Sequence, residues 1–81
     1  MKSILVYCKD IPAANAVYAL FSGTEIEAEL EPWITLPYVC VRLKNQAVFY
    51  AADSGVTING VKGKINIPND LLAADHSLTF V

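Results

Sequence analysis

The sequence predicts an α+β, strand-rich fold: one short helix packed on a mainly antiparallel sheet of five to seven short strands, curled or sandwich-like. Three observations carry this. Residues 24–31 and 38–44 alternate polar and apolar with period two, as half-buried strands do. Residues 13–21 instead place Val17, Leu20 and Phe21 at helical spacing. The connections are short, which favours antiparallel neighbours, because parallel strands need long crossovers.

The elements follow in order. Residues 3–8 are apolar and β-favouring and read as a first strand. Asp10 caps a helix of about ten residues, with Pro12 in its first turn, where a missing N–H costs nothing. Gly23 ends it. The strand Thr24–Glu31 sets Glu25, Glu27, Glu29 and Glu31 on one face and Ile26, Ala28 and Leu30 on the other. Pro32 stops it, and residues 32–37 form a loop. The strand from Tyr38 to Lys44 has Val39, Val41 and Leu43 on one face and Arg42 and Lys44 on the other.

These two segments predict a hairpin of one register. Glu25 faces Lys44 and Glu27 faces Arg42; on the other side Ile26 meets Leu43, Ala28 meets Val41 and Leu30 meets Val39. A slip of one residue would bury the glutamates. Beyond it, Asn45 marks a bend, 46–51 a strand and 53–55 a turn. Asn59 and Gly60 are expected at the centre of a hairpin turn, where both positions favour positive φ. Lys64–Ile67 is a strand with Ile65 and Ile67 inward. Asn69 caps one helical turn over 69–74, and 77–81 is a final strand. The β-strand, helix and acidic strand at the start are the one stretch where a crossover could create a parallel pair.

Eighty-one residues form a single domain, 1–81, with no linker-like stretch. The chain is 54% hydrophobic and 17% charged, rich in apolar residues for so small a body, so part of that surface is expected to face a partner. Net charge is −2 and no basic run exists, which argues against nucleic acid. No stretch reaches the ~18 apolar residues of a membrane span, and the N-terminus lacks a signal-peptide pattern. A cytoplasmic or virion-associated location is expected.

No catalytic, cofactor or metal constellation emerges from the residues. His76 is the one histidine and stands in a polar turn; Cys8 and Cys40 sit in apolar runs and read as reduced core thiols, with a bridge open only if their strands are neighbours. Gly60 to Gly63 matches a GXXG pattern, but β-favouring residues flank it where a nucleic-acid module needs helices. The aromatic residues inside elements are expected in the core. The exception is Trp33, in a loop with Ile34 and Leu36: it either folds back over the core or anchors a partner. The four glutamates form either a solvated strand face or an acidic recognition stripe.

Ala47, Val48 and Phe49, then Ile67, Pro68, Leu71 and Leu72, then Leu78 and Phe80 form a pattern over residues 46–81. It resembles small β-sandwich-like domains of bacteriophage tail and baseplate proteins. The resemblance implies a compact, non-enzymatic domain used in virion assembly or attachment, and the apolar excess and exposed strand edges are expected to be covered by a protein partner or by self-association as a homo-oligomer. The alternative is a small inhibitor that sterically blocks a host or defence protein through the acidic strand and the Trp33 loop.

Overall fold

The structure, a computed structural model, describes residues 3–44, 46–51, 55–60, 63–73 and 78–81. Among these are seven strands and one α-helix: β1 (Ser3–Tyr7), α1 (Ile11–Leu20), β2 (Ala28–Glu31), β3 (Tyr38–Arg42), β4 (Ala47–Ala51), β5 (Gly55–Gly60), β6 (Gly63–Ile67) and β7 (Leu78–Phe80), with a 3₁₀ turn at Asn69–Leu71. The architecture is α+β, and every strand pairing is antiparallel. The strands divide between two sheets rather than forming one: a four-stranded sheet of order β2-β3-β1-β7 and a three-stranded sheet of order β4-β5-β6.

The first sheet is built around β3. Both β1 and β2 run antiparallel to it, so they are parallel to each other with β3 inserted between them. Helix α1 is the crossover that joins them. Asp10 caps the helix as its sequence requires, accepting the Ala13 N–H at 2.8 Å. Gly23, at φ +80°, turns the chain out of the helix. The helix buries Ala13, Ala14 and Val17, followed by Phe21. Leu20 does not join them; it is 39% exposed. The buried stripe is narrow and starts with two alanines, so the helix lies close to the sheet and Leu20 rotates past its edge.

The predicted register of the acidic hairpin is the observed one: Ala28 opposite Val41, Leu30 opposite Val39. The strand itself is shorter than expected. Residues 24–26 form a bend, because the Thr24 hydroxyl donates to the Phe21 carbonyl and accepts the Ile26 N–H, a local alternative to the ladder. Pairing resumes at Glu27, whose carbonyl accepts the Arg42 N–H at 3.0 Å.

In the second sheet Asn59 and Gly60 do not form the centre of a turn as the sequence predicts. Asn59 and Gly60 are the last residues of β5 and pair with Lys64 and Gly63. This register sets Val56 opposite Ile67 and Ile58 opposite Ile65. A turn centred on Asn59 and Gly60 would break both apolar pairs, so core pairing overrides turn preference. Asn69 likewise stands inside its turn; Pro68 occupies the cap position, with no side-chain cap bond. The expected bend at Asn45, the turn at Asp53 and Ser54, and His76 lie outside the described residues.

One buried cluster unites the molecule. It takes Ile4, Val6 and Cys8 from the β1 segment, Val39 and Val41 from β3, Val56 and Ile58 from β5, Ile67 from β6, and the helix stripe. Each full aliphatic burial contributes about 1.5–3 kcal/mol. The core is aliphatic, and Phe21 is its one aromatic member among the described residues. Contrary to expectation, Tyr18, Phe49 and Phe80 are exposed.

Candidate protein-interaction surface

The four-stranded sheet buries one face and leaves the other open. Alternation along β1 and β3 sends Ser3, Leu5, Tyr7, Tyr38, Cys40 and Arg42 away from the core, all half-buried. Register lines them up in rows: Tyr7 stands opposite Tyr38, and Leu5 opposite Cys40. The two tyrosine rings make a tilted contact with centroids 5.5 Å apart. Next to them, on the outer side of β2, lie Glu29 opposite Cys40 and Glu31 opposite Tyr38.

The charge pairs run diagonally as well as directly across, and Lys44 meets Glu27 where the sequence predicts Glu25. Lys44 donates a short hydrogen bond to Glu27 Oε1. The Arg42 guanidinium reaches Glu29 at 3.5 Å and Glu27 at 3.9 Å. Lys44 first by its hydrogen bond, and then by its charge, holds the Glu27 carboxyl below its ordinary value. Glu31, at the loop end of the stripe, has no ion pair among the described residues. Glu25 is separate: it lies beyond the strand, beside Gly60. At ~3.3 Å per residue, up to about 20 Å divides Glu25 from Glu31. The four glutamates are therefore not one site.

The loop between β2 and β3 carries the other candidate residues. Pro37 is fully buried, and its carbonyl accepts the Cys8 N–H at 2.9 Å. The rest of the loop stands clear: Trp33 is 61% and Ile34 89% exposed, with Leu36 also at the surface. The Trp33 N–H donates to the Glu31 carbonyl at 2.9 Å, which ties the loop base to the end of the acidic strand. Glu31, Trp33, Ile34 and Leu36 thus share one end of the hairpin.

Cys40 lies on β3 and Cys8 directly follows the adjacent β1; they fall on opposite faces, and both are free. Cys8 is fully buried; burial first, and the Asp10 charge second, push its thiol up to about 11. Cys40 is not a core thiol as its apolar neighbours imply; it is half-buried on the outer face, in the same parity as Arg42. Among the described residues no three His, Cys, Asp or Glu side chains converge as a metal site would require. No helix among them is long and apolar enough to cross a membrane.

Sequence reasoning missed Leu5, Tyr7, Tyr38 and Cys40 as surface residues. Their signal was the alternation itself, read along Tyr38–Arg42 but not carried to the facing strand. No family model, curated protein or solved structure matches this chain.

Proposed function

We propose that this chain is a non-enzymatic protein–protein interaction module, of the small phage-type structural or assembly kind. The observation that carries the reading is the exposure of Trp33 and Ile34 on one loop. An exposed tryptophan beside an almost fully exposed isoleucine is costly in water and is the usual chemistry of a binding hot spot. The half-open outer face with Leu5, Tyr7 and Tyr38 extends that surface. The sandwich-like closure of the two sheets expected of such domains belongs to the same proposal.

The inhibitor reading rests on the acidic strand. Here Arg42 and Lys44 already engage Glu27 and Glu29, which weakens any long-range field from that stripe. Apolar docking therefore stands ahead of electrostatic steering.

Light scattering at low and high salt, on the wild type and on Trp33→Ala, tests this. The expected result is an oligomer insensitive to salt that Trp33→Ala dissociates. A monomer at both salts overturns the assembly reading.

A further inference from the structure

Strand β2 is an edge strand, and its open side has three properties at once. The first is main chain unpaired among the described residues. The Arg42 N–H donates to the Glu27 carbonyl, so ladder alternation points the odd residues of β2 at β3 and turns the N–H and C=O of Ala28 and Leu30 to the open edge. The second is a cleft on the inner side of that edge, about 190 Å³, lined by Tyr18, Phe21, Ser22, Ile26 and Ala28. It lies between the end of α1 and the strand and has room for one side chain. The third is charge on the outer side. Glu29, which the Arg42 guanidinium reaches at 3.5 Å, and Glu31, which has no ion pair among the described residues, flank the edge there.

We infer that β2 receives an extended partner strand whose residues alternate between basic and apolar, the basic ones facing Glu29 and Glu31 and an apolar one entering the cleft beside Ala28. The inference deepens the interaction-module reading and rests on it. The physics is strand addition: main-chain hydrogen bonds supply the attachment and the two faces supply the selectivity. A partner strand at this edge has opposite chemical demands on its two sides, and period two is the one pattern that meets both. The glutamates act here at contact range, which does not depend on the long-range field that Arg42 and Lys44 reduce. Unoccupied, the same glutamates guard the edge against neutral or acidic strands.

The test uses the full chain and two capped heptapeptides, one alternating valine with lysine and one alternating valine with glutamate. Amide exchange by NMR reads the site directly. The lysine peptide is expected to slow exchange at Ala28 and Leu30 and to bind roughly tenfold more tightly than the glutamate peptide. Ala28→Pro removes an edge donor and keeps the bonds to β3, since proline is tolerated where the N–H faces outward; it should abolish binding. Should that variant fail to fold, Glu29→Lys combined with Glu31→Lys, both at outward positions, should reverse the peptide preference.

Equal binding of both peptides, or protection at β6 or β7 instead, overturns the inference. Concentration-dependent protection of Ala28 and Leu30 without peptide would assign the edge to a second copy and overturn it too. If Trp33→Ala dissociates an oligomer while these amides never respond, the edge inference fails and the module reading stands. If the lysine peptide protects the edge of a protein that is monomeric at every salt, assembly fails and the edge stands.

Discussion

The carbonyl oxygen of Ile67 occupies the space that a Cβ on Gly55 would need. The Asn69 N–H nitrogen closes the same space from another side, 3.0 Å from that Cβ position, and Gly55 itself is at φ +100°. Both neighbours are main chain, so neither yields by a rotamer change. Gly55→Ala should cost roughly 3 kcal/mol or more, combining a strained φ with displacement of β6. Gly60 is the contrast. A Cβ there meets Glu25 Oε1 at 2.6 Å, the far end of a flexible side chain. Gly60→Ala should cost less than about 1 kcal/mol. Urea unfolding of the two variants checks the difference.

The Asp10 side chain closes the first turn of α1 on the Ala13 N–H. Asp10→Ala should lower stability by about 1 kcal/mol, and Asp10→Asn by much less, because asparagine retains an acceptor. Thermal melts of the pair distinguish capping from charge.

Glu27 titrates below its ordinary 4.5 because Lys44 binds its charged form. The sign follows directly. A carboxyl whose folded pKa lies below its unfolded value adds stability that is present above the unfolded value, near 4.5, and is lost as pH falls through the folded one. Lys44→Met should move the Glu27 carboxyl resonance to titrate at higher pH and should shrink the loss of stability on acidification below pH 4.5. Unchanged acid dependence in that variant would show that the pair contributes nothing to folding.

Cys8 and Cys40 should separate by reactivity. The thiolate is the reactive form, and Cys8 is both fully buried and pushed up to about 11, whereas Cys40 is half-buried on the outer face. Iodoacetamide at pH 8 should label Cys40 first and reach Cys8 only at the rate of unfolding. Peptide mass mapping over time reads the order.

How much of this was legible in the sequence depends on how many independent constraints met at each residue. The β2–β3 register was legible because the glutamates demanded cations on one face while Ile26, Ala28 and Leu30 demanded aliphatic partners on the other, and one alignment satisfied both. The start of α1 was legible because Asp10 and Pro12 each fix the same boundary. At Asn59 a single local preference stood against Val56 and Ile58, which needed Ile67 and Ile65 as partners, and packing won. The outward placement of Leu20, Phe49 and Phe80 was not legible, because helical spacing and strand parity give a direction but not how far the neighbouring layer extends. The candidate site divided in the same way. Trp33 and Ile34 were marked by lying between two prolines, while the cleft beside Ala28 exists only once α1 has docked.

The last strand has a consequence for the chain as a whole. The Ser3 N–H donates to the Val81 carbonyl at 3.1 Å, and the Val81 N–H donates back to Ser3 at 2.9 Å. Residues 3 and 81 are thereby joined in one ladder. Among the described pairings this one spans the most chain and closes the longest loop, so β7 should dock late in folding and fray first in native-state exchange. A short covalent tether between β1 and β7 should convert that late step into a local one.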